Sequence, residues 1–339
     1  MQKAKGPWNL SDLENKESTG LTAFSCFHCG GGSTMGYKLA GFDVLGGVEI
    51  DPEMMGLYQK NHRPKYSYLM GVQEFNQFNL DDIPDDLKNL DLLDGSPPCS
   101  VFSMAGSREK KWGKEYKFRE GQKKQRLDDL FMHFIETGRR LQPKVIIAEN
   151  VKGLISGNAK GYVKEIFSAF QKAGYRPQLF LLNSAKMGVP QARQRVFFIA
   201  SRENLNLPKI QLEFDEEIIN LKEALQGTSA EGAKSLSPKA KNLWKKTIKG
   251  DSFSKAAGGS WFNRVRSSWE KPAFTVVAGQ PQCHPDEPRY FSPAEVIRIQ
   301  TFPDDYDFRG KDANYVCGMS VPPFMTQRIA LAIIEQWFK

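Results

Sequence analysis

The sequence contains little of what marks secreted and membrane proteins. It has five cysteines in 339 residues, an odd and widely spaced set that does not form a disulfide framework. No apolar run approaches the roughly 18 residues that a membrane span requires. The first twenty residues are polar and lack the apolar centre of a signal peptide. We therefore expect a protein of the reducing cytoplasm that makes no membrane contact.

Composition and charge narrow the class of protein further. Hydrophobic residues make up 40% of the chain and charged residues 25%, which is ordinary for a globular protein. A chain of 339 residues can bury one large core, or one large core plus a smaller domain. The net charge is +8. A positive excess suits a polyanionic partner such as a nucleic acid, but its meaning depends on where the charges lie.

Short apolar runs alternate with helical patterns in the first two-thirds of the chain. The helical patterns include DDLFMHFIETGRRL and YVKEIFSAFQKAG. This alternation predicts an α/β fold with a mostly parallel sheet and helices on both of its faces. The predicted strands are Leu21–Cys26, Val44–Glu49, Leu90–Asp94, Val145–Glu149, Leu179–Asn183 and Val196–Ala200.

The pattern changes after residue 200. Residues 201–265 are polar and lysine-rich and show no regular alternation. PAFTVVAG, a predicted strand, follows, and a last apolar helix from Phe324 to Phe338 begins beside Pro322 and Pro323. We expect a first domain over 1–200, a small irregular domain over 201–290, and a segment over 291–339 that returns to the first domain.

The segment LTAFSCFHCGGGSTMGYKLAGFDVLGGVEIDP has the layout of a nucleotide site. A strand leads into a glycine-rich turn, a helix follows, and a second strand ends in Glu49, an acid placed to bind ribose hydroxyls. The glycines at 30–32 do not have the GxGxxG spacing of nicotinamide enzymes, although such an enzyme stays an alternative. Cys26 and Cys29 form a CxxC without a second ligand pair, so we expect two buried cysteines and no metal site.

Three further motifs place reactive side chains at predicted strand ends. In LDLLDGSPPCSVFS an apolar strand and a proline-stiffened loop present Cys99, and thiolate nucleophiles work best when partly exposed. In KVIIAENVKGL the strand ends in Glu149, a costly place for an acid without a partner or a function. In QARQRVFFIA the side chains of Arg193 and Arg195 point to the same side of an extended segment.

Taken together and in this order, these motifs resemble the cytosine-C5 DNA methyltransferase family of bacterial and phage restriction–modification systems. HPDEPRYFSPAEVIRIQTFPDDYDF and GMSVPP look like the closing motifs of that family. The resemblance covers Leu21 to Trp337. It implies a Rossmann-like methyltransferase sheet, a domain over 1–200 that binds S-adenosyl-L-methionine, and a target-recognition domain over 201–290.

The resemblance also implies a role for each motif. Cys99 corresponds to the nucleophile that adds to cytosine C6, and Glu149 to the acid that contacts the N3 edge of the base. Arg195 corresponds to the residue that binds the cytosine O2, and Arg193 supports the site or a nearby phosphate. The residues that correspond to the S-adenosylmethionine pocket are Phe27, Gly30, Gly31, Glu49, Ile50, Pro98 and Ser320.

The chemistry explains these residue types. Addition at C6 converts the ring into an enamine whose C5 can attack a sulfonium methyl group. A base inside a duplex must first be flipped out, at a cost of roughly a few kcal/mol. Three positions depart from the family pattern and affect the cofactor pocket. Cys29 replaces a glycine, Val72 an aspartate and Met319 an asparagine.

Two basic segments predict contacts with double-stranded DNA. One follows Cys99 and corresponds to the family's mobile DNA-contacting loop, and the other lies in the irregular domain among aromatic residues. The predicted contact residues are Arg108, Lys110, Lys111 and Lys114 in the first segment and Lys245, Lys246 and Arg264 in the second.

Other functions remain open from the sequence. An RNA (tRNA) cytosine methyltransferase would have the same catalytic residues, although the insertion over 201–265 favours a duplex DNA target. A catalytically inactive binding subunit would be expected to have lost Cys99 or Glu149. We expect a monomer that acts on double-stranded DNA. A cognate restriction endonuclease, if the chain has one, is expected to act separately.

Overall fold

The computed structural model describes residues 7–98, 115–116, 125–126, 129–156, 160–261, 263–279 and 282–339. Cys99, Arg108, Lys110, Lys111 and Lys114, all predicted site residues, lie outside these ranges. The chain divides into two compact units. The sheet unit comprises Lys16–Leu182, Gln194–Leu212 and Ile329–Lys339, and the irregular unit comprises Met1–Asn15, Asn183–Arg193 and Glu213–Arg328. The domain boundaries at residues 200 and 290 remain a prediction.

A seven-stranded sheet organises the sheet unit. Its strands in chain order are β1 (Thr22–Cys26), β2 (Asp43–Glu49), β3 (Tyr66–Leu69), β4 (Leu92–Gly95), β5 (Val145–Val151), β6 (Tyr175–Asn183) and β7 (Gln194–Arg202). They lie side by side in the order β3-β2-β1-β4-β5-β7-β6. Strands β1 to β5 pair in parallel, whereas β7 pairs antiparallel with β5. The predicted α/β fold with a mostly parallel sheet is confirmed.

Four longer helices accompany this sheet: α1 (Gly32–Leu39), α2 (Pro52–His62), α3 (Leu130–Leu141) and α4 (Lys160–Lys172). Short helical turns span Val72–Phe75, Leu80–Asp82, Asp85–Lys88, Lys152–Ile155 and Glu203–Leu205, and a small antiparallel pair joins Glu115–Tyr116 to Gln125–Arg126. Helix α2 begins where the Asp51 side chain accepts bonds from the amides of Glu53 and Met54, with Pro52 at the first helical position.

The core of the sheet unit forms where the apolar face of α3 meets the strands. Phe134 packs in a cluster with Leu93, Ile146 and Phe198, none of which is more than 1% exposed. Burying each such side chain stabilises the fold by roughly 1.5–3 kcal/mol. Gly138 lets α3 approach the sheet closely, because a Cβ there would lie 2.3 Å from Cδ1 of Ile146.

The irregular unit contains short elements around a small core. Its helices are Ser11–Glu14, Leu221–Ala224, α5 (Pro238–Lys246), α6 (Pro293–Ile299) and α7 (Ala313–Met319), and Ser184–Lys186 forms a helical turn. Asp251–Ser252 pairs with Val265–Arg266, and Gln191–Ala192 pairs with Ala273–Phe274. Trp244 of α5 packs in the core with Leu236, Ala240, Phe253 and Cys283. The last helix, α8 (Pro323–Ile333), begins in the irregular unit and continues as a π-helical turn over Ile334–Phe338, and its residues from Ile329 onward belong to the sheet unit.

Two local predictions differ from the structure. Strand β3 was not predicted, because its side chains are alternately half-buried and exposed and the run YSYL is not apolar. The strand predicted in PAFTVVAG is limited to Ala273–Phe274, since its pairing partner is itself two residues long. Among the described residues, no helix combines the length and apolar character that crossing a bilayer requires.

Candidate active site

The order of the strands fixes where a ligand site lies in the sheet unit. Strand β1 has β2 on one side and β4 on the other, so the chain reverses its direction across the sheet between β1 and β4. Sheets of this kind bind ligands outside the carboxyl ends of the strands at such a reversal. The glycine-rich turn follows β1 at this edge, and the loop over 96–98 that leads to Cys99 follows β4.

The turn after β1 has an unusual backbone. Phe27, Cys29 and Gly31 all have positive φ angles, of 56°, 49° and 77°. A Cβ on Gly31 would lie 2.2 Å from Nε2 of His62, so this position requires glycine for space as well as for conformation. Cys29, one of the three departures from the family pattern, keeps a left-handed conformation that a glycine would adopt without strain.

Glu49 ends β2 and holds this turn in place. Its Oε2 accepts a hydrogen bond from the backbone amide of Cys29 at 3.1 Å, and its Oε1 accepts from the amides of Ile50 and Asp51 at 2.9 and 3.0 Å. Burial raises the pKa of the carboxyl, while these amides oppose the shift. A carboxylate has about four acceptor positions, so one stays available beyond the three amides.

A buried carboxylate that sequence reasoning missed lies between the two loops. Asp94, at 4% exposure, ends the apolar part of β4. Its oxygens accept hydrogen bonds from the hydroxyls of Ser25 in β1 (2.8 Å), Ser33 in α1 (2.7 Å) and Tyr37 in α1 (2.9 Å). Burial raises the pKa of Asp94 to about 6, although the three hydroxyls oppose the shift. In the sequence, the only indication of this carboxylate is that Asp94, the second aspartate of LDLLDGS, ends a predicted strand.

Glu149 and Arg195 form the charged centre of the sheet unit. The antiparallel pairing of β5 with β7 sets Arg195 opposite Val151, and Nε of Arg195 lies 3.0 Å from Oε1 of Glu149. Both side chains are largely buried, and burial lowers the pKa of the Arg195 guanidinium while Glu149 opposes the shift. Separating such a pair would leave an uncompensated buried charge, which is unfavourable. Each group therefore holds the other in place.

The strand that carries Glu149 is also tied to the loop before Cys99. The side-chain amide of Asn150 donates a hydrogen bond to the backbone oxygen of Pro97 at 3.2 Å. Pro97 precedes Cys99 by two residues, and Pro98, a predicted cofactor residue, lies between them. The structure thus connects the predicted acid and the loop of the predicted nucleophile through adjacent residues of one strand.

Arg193 and Ser320 belong to the irregular unit, and their contacts differ from those of Arg195. The Arg193 guanidinium, 3% exposed, donates to the backbone oxygens of Val276 at 2.9 Å and Gly318 at 3.1 Å. The Ser320 hydroxyl donates to the oxygen of Val316 at 2.8 Å. These bonds support a positioning role for Arg193. The role of Arg193 in the reaction and the contact of Ser320 with the cofactor stay predictions.

The two lysines predicted to contact DNA, Lys245 and Lys246, are exposed in the last turn of α5. Arg264 belongs to the same unit, and its guanidinium lies over the rings of Trp261 and Tyr290. Of the cysteines in the described residues, Cys26, Cys283 and Cys317 are buried thiols and Cys29 is half-buried. No group of three or more metal-ligating side chains occurs among the described residues.

Comparisons with known proteins identify the family to which the chain belongs. A family model described as C-5 cytosine-specific DNA methylase matches residues 21–335. The chain is 30% identical to the type II methyltransferase M.FnuDI of Fusobacterium nucleatum, over 93% of this chain and 94% of that protein. It is 29% identical to M.NgoPII of Neisseria gonorrhoeae, over 92% and 95% of the two chains.

Solved structures share the fold. A prophage-encoded protein of Escherichia coli, described as a DNA modification methyltransferase, superposes with a TM-score of 0.72 at 20% identity, covering 94% of this chain and all of that one. A mutant DNMT2 of Spodoptera frugiperda superposes with a TM-score of 0.62 at 19% identity, over 93% and 99% of the two chains. At these identities the likeness shows the fold alone.

Proposed function

The chain belongs to the C-5 cytosine-specific DNA methylase family, and from this premise we propose that it transfers a methyl group from S-adenosyl-L-methionine to C5 of a cytosine flipped out of duplex DNA. The observation that carries the proposal is the Glu149–Arg195 pair, on a strand whose Asn150 binds the loop before Cys99. Acid, cation and nucleophile loop then meet at one end of the sheet, as attack on a cytosine ring requires.

The turn after β1 fits S-adenosylmethionine as its ligand. The turn lies at the edge of the sheet where nucleotides bind and contains glycines, which let a ligand approach the backbone closely, and Glu49 keeps an acceptor position for a ribose hydroxyl. Phe27, Gly30, Ile50 and Pro98 adjoin these groups in sequence and would complete the pocket, with Ser320 as a further predicted contact. When bound, S-adenosylmethionine supplies an electrophilic methyl group.

The residues of the chain then have separate tasks in the reaction. The Cys99 thiolate adds to C6 of the cytosine, and Glu149, as the acid at N3, supplies the proton that neutralises the negative charge developing on the ring. Arg195, which already holds the Glu149 carboxylate, directs its remaining N–H groups to O2 of the base. After methyl transfer, the N3 proton returns to Glu149, and loss of the C5 proton with release of the thiolate restores the aromatic ring.

DNA binding is proposed for both basic segments. Arg108, Lys110, Lys111 and Lys114 would contact phosphates next to the nucleophile, and Lys245 and Lys246 present exposed ammonium groups from α5. Phosphate contacts position the protein without reading sequence. We further propose a monomer in the cytoplasm of a bacterial or phage-infected cell, with any cognate restriction endonuclease acting separately.

The function is tested by supplying radiolabelled S-adenosylmethionine with duplex DNA or with tRNA. We expect label in 5-methylcytosine of the DNA, and loss of that product in Cys99→Ser while DNA binding persists, because serine is a poor nucleophile near neutral pH. Near-normal turnover by Cys99→Ser would contradict the mechanism. Label in tRNA but not in DNA would assign the chain to the RNA alternative.

A further inference from the structure

Arg264 of the irregular unit is held in place by aromatic rings. Its guanidinium carbon lies over the ring of Trp261 at 5.0 Å and over the ring of Tyr290 at 5.3 Å. Trp261 is itself anchored, because its ring stacks on the fully buried Phe253 with centroids 6.5 Å apart. Arg264 therefore has a fixed side chain before any partner binds.

The backbone around Arg264 is fixed as well. Its amide donates to the oxygen of Trp261 at 3.0 Å, and its own oxygen accepts from the amide of Phe253 at 2.8 Å. Trp261 has a φ of 64°, a strained conformation for a residue with a side chain, and such strain clusters at functional sites. The chain thus maintains an unfavourable local geometry where the aromatic clamp is formed.

The side-chain N–H groups of Arg264 have no hydrogen-bond partner within the described chain. Neither a carboxylate nor a backbone oxygen in those residues accepts from its guanidinium, which lies over the rings of Trp261 and Tyr290. Lys239 adds a second cation 5.7 Å from the same Trp261 ring. Arg266 is the contrast within the unit. It stacks on Trp244 at 3.8 Å, but it donates to the backbone oxygens of Pro285, Trp244 and Thr247.

We infer that Arg264 reads a guanine of the target sequence through the major groove, donating two hydrogen bonds to its O6 and N7. Arginine is the side chain that most often recognises guanine in this way. Phosphates can be reached by mobile surface lysines such as Lys245 and Lys246, whereas a clamped planar fork suits two acceptors fixed in one plane. This inference rests on the proposed function and adds to it one guanine that the protein recognises in the target sequence.

The test begins with the target sequence of the wild-type protein. A randomised duplex library is methylated with S-adenosylmethionine, and bisulfite sequencing of the products gives the sequence motif. Each guanine of the motif is then replaced by 7-deazaguanine, which lacks the N7 acceptor. For one guanine we expect the kcat/KM of wild-type protein to fall roughly 10- to 150-fold, the effect of losing one hydrogen bond from a charged donor.

The variant Arg264→Gln should respond differently. It should be slow on the guanine duplex and lose no further activity with 7-deazaguanine at that position, and library sequencing should show a relaxed preference there. Lys246→Gln, which removes one positive charge from the same unit, serves as the control. It should weaken activity on all duplexes alike and keep the full sensitivity to 7-deazaguanine.

Two outcomes would overturn the inference. Arg264→Gln could remain as sensitive to 7-deazaguanine as wild type at every guanine, as a phosphate contact or a purely structural role requires. Alternatively, no guanine of the motif could be sensitive in the wild-type protein. Failure of the proposed function looks different, because the wild-type protein would then form no 5-methylcytosine in any duplex. Circular dichroism melting of Arg264→Gln checks that the variant is folded.

Discussion

Replacing Asp94 with asparagine tests the buried network that joins β1, α1 and β4. The carboxylate accepts three hydroxyl hydrogen bonds, yet its pKa is raised by burial from the ordinary 3.8 to about 6. An asparagine amide fits the same space and can still accept from one hydroxyl and donate to another. The variant therefore removes the charge and keeps most of the network.

The sign of the effect follows from linkage. Well below pH 3.8 the carboxyl is protonated in both the folded and the unfolded chain, and it has no effect on stability through its charge. As the pH rises from about 4 to 6 the unfolded chain ionises first, so the free energy of unfolding falls. Above pH 6 the full cost applies, and a pKa raised from 3.8 to about 6 corresponds to about 3 kcal/mol.

Asparagine does not ionise, so Asp94→Asn should gain on wild type as the pH rises. We expect the difference in free energy of unfolding between variant and wild type to shift by about 3 kcal/mol toward the variant between acid and neutral pH, with about half of the shift between pH 5 and pH 7.5. Urea titrations of both proteins at several pH values measure it, and taking the difference cancels the other groups.

Asp86→Asn is the matched control. Although burial opposes it, the Lys65 ammonium and the Tyr66 hydroxyl lower the pKa of this half-buried carboxyl. Its replacement should therefore have a small effect of the opposite sign, lowering the relative stability as the pH rises. A difference for Asp94→Asn that is independent of pH, or that falls with rising pH, would refute the account of Asp94.

Three further predictions concern the site itself. Glu149→Gln keeps a hydrogen-bond acceptor for Arg195 but cannot supply a proton, so single-turnover methyl transfer should slow by about 10²–10⁴-fold with little change in cofactor affinity; single-turnover rates equal to wild type would count against it. Gly31→Ala adds a Cβ 2.2 Å from the His62 side chain at a φ of 77°, so its affinity for the cofactor, measured by calorimetry, should fall. The control is Gly174→Ala, which has a similar φ of 87° but open space around the added Cβ and should keep a much higher affinity. Equal affinities of the two variants would argue against the turn as the cofactor site. Neutralising Lys110, Lys111 and Lys114 together should weaken binding to all duplexes similarly and flatten the slope of log affinity against log salt by roughly 0.9 for each phosphate that the variant no longer neutralises; a changed target sequence with an unchanged slope would oppose it.

The main features of the sheet could be predicted because they depend on local pattern. Apolar runs such as VIIAENV are buried on both faces of a parallel sheet, so β5 and the position of Glu149 at its end followed directly. Strand β3 has no such run, since it lies at the sheet edge with half of its side chains exposed. Its existence depends on pairing with β2, which is a tertiary contact.

The site could be predicted in part for the same reason. The family resemblance implied that Glu149 and Arg195 contact the same base, and the structure brings them to 3.0 Å. It also implied a supporting role for Arg193, whose guanidinium donates to backbone oxygens of the irregular unit. Asp94 and Arg264 owe their properties to residues distant in sequence, a hydroxyl 69 positions away and a tyrosine beyond the next strand. No local pattern contains that information.

The central claim is that the Cys99 sulfur bonds to the target cytosine during methyl transfer. Duplex DNA with 5-fluorocytosine at the target position tests it directly, because the fluorine cannot leave C5 as a proton does and the adduct is trapped. With S-adenosylmethionine present, wild-type protein should form a covalent protein–DNA complex that survives denaturing electrophoresis, and Cys99→Ala should form none. A complex that persists in Cys99→Ala, or that never forms with the wild-type protein on a duplex it methylates, would contradict the account.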